Sequence, residues 1–193
     1  MDTIEIEKIV EEVCKAETNV FGYNIWTHHI TQVVKISKKL AKQFNADPEI
    51  VEISALLHDY AGIKDNELHK EHHIHGAIEA EKILRKLNYP SNKIEAVKHC
   101  IENHRGSING NKKSLEAMCL TNADAIAHIE NIPSLLYLVF VKFEMEIDEG
   151  VERVRKKLER SWNKLNPDLK TIIKDKYEAA NKILVSLNKN NQQ

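Results

Sequence analysis

Three cysteines, four prolines and six glycines are all the covalent and conformational punctuation in this sequence of 193 residues. Cys14, Cys100 and Cys119 are odd in number and lack CxxC spacing, which argues against both a disulfide framework and a thiolate zinc site. They read as buried thiols. With so little glycine and proline, and few stretches that alternate apolar and polar residues, strands and tight turns have little to build on, and the chain reads as all-α. An excess of either charge sign is also missing: the formal net charge is -1 with 30% charged residues, so nothing pulls the whole molecule toward nucleic acid or an anionic membrane. Any phosphate-binding patch must therefore be local. No apolar run approaches the roughly 18 residues of a membrane span. Asp2, Glu5, Glu7 and Lys8 interrupt the N-terminus in a way that fits neither a signal peptide nor a basic transit segment, so a cytoplasmic location is expected.

What the chain does have is histidine. Of ten, all but His128 fall between residues 28 and 104. Helical periodicity decides which of them face a core. A first helix is predicted over Ile4 to Ala16, and a second over Ile25 to Phe44, in which His29, Val33, Ile36, Leu40 and Phe44 form one stripe while His28 falls on the polar side. Asp47 and Pro48 open a third helix as N-cap and first position; it carries the apolar run Ala55 to Leu57 into His58-Asp59 and breaks near Gly62. After a polar loop from Ile63 to Lys70, a fourth helix puts His72 on the face of Gly76, Ala77 and Ala80. A fifth, opening at Pro90-Ser91, puts His104 on the stripe of Ile94, Val97 and Ile101, with His99 off it. A Gly-, Asn- and Lys-rich loop follows from Arg105 to Lys113, and long loops of this kind are often functional. Ser114 caps a sixth helix that sets Asp124 among alanines. Three further helices are predicted: Leu135 to Glu146, Glu149 to Leu165 and Pro167 to Leu187, before a polar tail. With no repeat and no linker, residues 1–193 read as one domain, a core over about 24–130 with a helical extension over about 133–187.

The inward set is His29, His58, Asp59, His72, His104 and Asp124. A lone inward histidine is more simply an ordinary core residue. An array on successive helices that includes an adjacent His-Asp pair is not explained that way, because buried imidazoles and carboxylates are costly without partners. Helical bundles build metal sites from facing helices, and mixed nitrogen and oxygen donors suit Mn, Fe, Co, Ni or Zn.

The order His, His-Asp, His, His, Asp resembles the HD superfamily of metal-dependent phosphohydrolases. Trp26 to Val33 resembles its first-histidine helix, Ala55 to Asp59 its naming motif, His72 to Ala77 its H-x-x-x-G-A segment, Asn103-His104 its later histidine and Ala123 to Ala125 its closing aspartate. The resemblance spans roughly residues 26 to 128. It implies a helical bundle in which His29, His58, Asp59 and Asp124 hold a first divalent ion. Asp59 would bridge to a second ion held by His72 and His104 in the two-ion form; a one-ion form is the alternative. His75 and His99 are weaker candidates, and His28, His69, His73 and His128 are expected to face solvent.

The implied reaction is hydrolysis of a small phosphoester, a nucleotide among the options, with His58 and Asp59 at the catalytic centre and water activated by the ion. Arg105, Lys64 and Lys112 are candidates to bind the substrate phosphate. Asp65 is read as an exposed loop residue before an outer-sphere acid or base. No Gly-Tyr-Pro signature is present and His104 precedes Arg105, so cyclic di-GMP hydrolysis is not implied, nor, without a synthetase domain, a bifunctional alarmone enzyme. The competing readings are a non-catalytic phosphate-ligand sensor and an HD-type di-iron oxygenase with the same donor types. A small-molecule substrate is the expected partner, with no membrane or nucleic acid, and a homodimer is left open.

Overall fold

A computed structural model of the chain describes residues 3–105 and 114–189. Among them there is helix and no strand. Helix α1 (Ile4–Lys15) buries Ile6, Val10 and Cys14, spaced four apart. The loop after it is tied down by Asn19, whose side-chain amide donates to the Cys14 carbonyl (2.8 Å) and accepts from the Phe21 N–H (3.0 Å). The second predicted helix is present with a modification. Its first part, Trp26–Ile30, is a π-helical turn that runs directly into α2 (Thr31–Phe44), and turns of this type often mark functional sites. Asn45 ends α2 in the left-handed region, as asparagine tolerates (φ 56°).

In α3 (Pro48–Leu57), the Asp47 carboxylate accepts from the Glu49 and Ile50 N–H groups, and every residue from Ser54 to Leu57 is buried. The break does not fall near Gly62. It falls at His58 and Asp59, where Asp59 adopts φ -105° and ψ 0° before a short helix α4 (Tyr60–Lys64). The predicted loop over Ile63 to Lys70 is instead the end of α4 and a 3-10 turn, Asn66–Glu71, whose first turn is held by the Asp65 carboxylate accepting from the Glu67 N–H. Asp65 is thus a helix cap. Next come α5 (His72–Lys86) and α6 (Ser91–Asn103), packed along each other. Gly76 lets α5 approach the α3 break, since a β-carbon there would lie 3.1 Å from Ile101 Cγ2 and 3.4 Å from the His58 carbonyl oxygen.

Helix α7 (Leu115–Glu130), capped by the Ser114 hydroxyl accepting from the Ala117 N–H, runs through the middle. Its small residues allow α2, α3, α6, α9 and α10 all to pack on it. Glu116 reaches the Asp47 N–H (3.0 Å), fastening the start of α7 to the start of α3. The predicted Leu135 to Glu146 helix begins earlier and ends earlier, as α8 (Ile132–Tyr137) continued by a π-helical turn, Leu138–Lys142. Then follow α9 (Ile147–Lys164) and α10 (Pro167–Lys189). One apolar cluster joins α1 to α7; a second gathers Ile129, Val139, Val151, Val154, Leu158 and Ile173 between α7, α8, α9 and α10. Between the two lies a cleft. No single described helix is long and apolar enough to cross a membrane, and α7 with the following helix passes such a test only as a pair bent by 75°.

Candidate metal centre

Three of the histidines are aimed by the same local device. His58, His72 and His104 are the residues that end α3, the 3-10 turn and α6 respectively. The last carbonyls of a helix lack intrahelical donors. Each imidazole uses one: His58 Nδ1 lies 2.8 Å from the Ala55 oxygen, His72 Nδ1 2.7 Å from that of His69, and His104 Nδ1 2.6 Å from that of Ile101. A carbonyl only accepts, so each Nδ1 carries the proton and each Nε2 is the atom presented to the interior.

Those Nε2 atoms converge on Asp59. Its Oδ2 lies 3.3 Å from His29 Nε2 and 3.3 Å from His58 Nε2, while its Oδ1 lies 3.3 Å from His72 Nε2. His104 Nε2 is 3.1 Å from His72 Nε2, and His58 Nε2 is 3.3 Å from His29 Nε2. One carboxylate therefore serves two imidazole sets, one per oxygen. Donors around a metal at bonds of ~2.1 Å stand about 3.0–3.4 Å apart at angles between octahedral and tetrahedral. The observed separations are the edges of such polyhedra. With both Nδ1 atoms donating to carbonyls, the Nε2 atoms of His72 and His104 face one another 3.1 Å apart, an arrangement that a cation between them relieves. The residues fit a metal, and two overlapping donor groups, His29-His58-Asp59 and Asp59-His72-His104, can hold one.

Asp124 stands behind His29, its Oδ1 3.6 Å from His29 Nε2 and its Oδ2 3.0 Å from Lys164 Nζ. A third donor group joins His29 and Asp124 to His128, whose Nδ1 is 3.2 Å from Asp124 Oδ1. His128 does not face solvent as its position predicted: it is buried and its ring stacks on His29 at 4.7 Å. Burial pushes the carboxyls of Asp59 and Asp124 up, but the groups that face them outweigh it. His58 and His29 hold Asp59, and His128 and Lys164 hold Asp124, well below the usual carboxylate range. Burial drives His104 and His128 well below the ordinary imidazole value, which leaves them neutral and ready to donate electron pairs. For His58 burial is outweighed by the Asp59 carboxylate and its value rises to about 8, so an ion arriving there displaces a proton at neutral pH.

All of the donors but the fully buried His58 line one wall of a cavity of about 710 Å³. Arg153, Lys157, Arg160 and Lys164 line another, spaced four, three and four along α9, hence on one helical face. Sequence reasoning missed this stripe, although its spacing was there to be read. Phe21, Ile25, Leu135, Leu138 and Phe143 supply an apolar part. Of the predicted phosphate ligands, Arg105 lines the cavity and donates to the Lys70 carbonyl. Lys64 does not: it is exposed, outside the cavity, and paired with Glu79 at 2.7 Å. Lys112 lies outside the described residues. His75 and His99 join no donor group; His75 faces Glu71 and His99 faces Asn103. His69 is exposed by area yet stacks on His72 and lines the cavity.

Comparison with known proteins gives the family and the fold. The family model described as HD domain matches residues 26–129. Among solved structures, that of Bacillus subtilis YpgQ in complex with ADP aligns over 98% of this chain and 97% of its own, at 18% identity and a TM-score of 0.67. A predicted HD superfamily hydrolase from an uncultured Thermotogales bacterium aligns over 83% and 84%, at 23% identity and a TM-score of 0.57. The Lin1889 protein of Listeria innocua aligns over 97% and 96%, at 19% identity and a TM-score of 0.66. No curated protein matches the sequence.

Proposed function

This chain belongs to the HD domain family, and on that premise we propose that it is a metal-dependent phosphohydrolase that cleaves a small phosphoester, a nucleotide being the favoured substrate. The observation that carries the reading is the facing of two walls. A His/Asp donor centre and a row of four cations border the same cavity, and phosphoryl oxygens are the chemistry that satisfies both. A divalent ion held there would lower the pKa of a coordinated water to ~7 and polarise a phosphoryl oxygen.

The chain's own residues do the rest. Asp59, ionised and shared between the two imidazole sets, fixes the spacing of the centre. Lys157 carries a charge into the cavity wall, and burial lowers its pKa, so an anionic group settling beside it restores the partner that water would have been. Arg153 is set by the ring of Phe143, 4.7 Å from its guanidinium carbon, near the apolar part of the cavity. That part suits the organic half of a nucleotide, and the solved complex of YpgQ with ADP supports a substrate of this size and charge.

Phosphate release from nucleotides and simple phosphoesters, with manganese added and metal content measured on the same samples, tests the reading. Asp59→Ala should abolish turnover and most metal binding. Oxygen consumption without phosphate release would overturn it in favour of oxidation chemistry.

A further inference from the structure

The resemblance that runs through the family motif ends its donor set at Asp124. The chain continues one turn further, to His128, and there the structure leaves a buried polar atom unexplained. His128 is 8% exposed. Its Nδ1 lies 3.2 Å from Asp124 Oδ1 but forms no hydrogen bond with it or with any other group. A protonated nitrogen at that distance would be expected to turn onto the carboxylate, because a buried donor left unsatisfied is costly. A nitrogen that offers a lone pair has no such reason to align. It lies in one donor group with Asp124 and His29, whose Nε2 is 3.6 Å from the same carboxylate oxygen.

Three observations bear on that space. Asp124 and His128 stand four apart on α7, the separation at which two helical donors close on a single ion. His29, Asp124 and His128 each bring a donor atom within the reach of one ion, with Asp124 Oδ1 3.2 Å from His128 Nδ1 and 3.6 Å from His29 Nε2. The other oxygen of Asp124 is occupied by Lys164 at 3.0 Å, which fixes the carboxylate with Oδ1 turned to the two imidazoles.

We propose that His128 is a metal ligand of this centre, sharing an ion with Asp124 and His29. This rests on the metal-centre part of the functional reading and enlarges it: the donors run past the last motif residue, and the centre has imidazole nitrogen on both sides of Asp124. An added nitrogen donor raises the protein-supplied coordination of the ion at His29.

The test compares wild-type protein with His128→Phe, which keeps the ring stacked on His29 and removes the donor, and with His128→Ala. His72→Ala, at the far side of Asp59, is the control. Each is stripped with chelator, checked for fold by circular dichroism and thermal melting, and titrated with Co2+ and Mn2+ by calorimetry and visible absorption. The expected result is that both His128 variants bind the ion at His29 more than about 100-fold more weakly, beyond the 10–100-fold that loss of an orienting partner costs. The cobalt band should change shape in both His128 variants and in a different way from His72→Ala. If His128→Phe folds and binds with wild-type affinity and an unchanged spectrum, His128 is no ligand and the proposal falls while the hydrolase reading stands. A loss of affinity within the 10–100-fold range with an unchanged spectrum also overturns it, leaving His128 as a positioning residue. Should His128→Phe fail to fold, His128→Gln takes its place under the same criteria. Wild-type protein that binds no metal overturns both.

Discussion

Lys164 Nζ stands 3.0 Å from Asp124 Oδ2, so the last residue of α9 touches the last aspartate of the donor set. Lys164 lies beyond residues 26–129, the span that the HD domain matches. The helices after that span therefore do more than complete the bundle: they supply a charge to one of its donors and a cationic wall to its cavity.

Removing that charge should cost the metal-free protein most. With Lys164→Ala, Asp124 stays buried and ionised with one cation fewer, and the loss should be on the order of 2–3 kcal/mol, a little less than for breaking a fully buried pair, since Lys164 is partly exposed. A bound ion would supply the missing charge. Urea unfolding with and without manganese checks this; an equal loss in both conditions would count against metal near Asp124.

Asp59 serves both sets of imidazoles, whereas His72 and His104 serve one of its oxygens. His104→Ala should therefore lose one ion per chain and keep the other, while Asp59→Ala loses most of both. Metal analysis after dialysis reads the difference. Wild-type metal content in His104→Ala would remove the second position.

The α9 cations face the cavity without entering a donor group. Lys157→Ala and Arg160→Ala should raise KM for a nucleotide about 10- to 100-fold with a smaller change in kcat and unchanged metal content, the mark of lost substrate binding. A fall in kcat alone, with KM constant, would place them elsewhere in the mechanism.

Burial raises the Cys100 thiol to about 12 and Cys119 to about 11, against 9.0 when exposed. Between about pH 9 and 11 the unfolded chain ionises these thiols and the folded chain does not, so the folded state holds more protons and stability falls as pH rises. Below that window both states are protonated and the thiols contribute nothing. The slope should approach about 1.4 kcal/mol per pH unit for each thiol. Cys100→Ala, although less stable at neutral pH, should show a shallower alkaline decline in reducing, chelator-containing buffer. Parallel curves for the variant and the wild type would rule the thiol out as the cause.

Much of this was legible from periodicity. His29 and not His28 points inward because a one-residue step on a helix turns a side chain by roughly 100°, and His104 and not His99 because five such steps turn it by roughly 140°. The bend at Asp59 was misplaced to Gly62 because glycine is the visible breaker. The actual break is made by a side chain, the His58 imidazole bonding the Ala55 carbonyl, and no residue type announces that. His128, expected to face solvent, is buried where α7 meets the π-helical turn that carries His29, and its ring stacks on His29. The α9 stripe reads as a solvated face in one dimension, and only the packing of α9 on α7 sets it along the cavity. Lys64 shows the reverse error. Its nearness in sequence to Asp59 suggested a role that its partner Glu79 has taken.

The three imidazoles that finish their helices are each aimed by an oxygen three residues behind them. Direction is thus a short-range property, encoded within a few residues of each donor, while separation is a long-range one, set by how α3, α5 and α6 pack. The two can vary independently. A change in the packing residues would slide each helix end as a rigid pointer, altering the gap between donors and leaving their bearings intact. A centre assembled this way can be retuned for ion size from its core, without touching a single ligand.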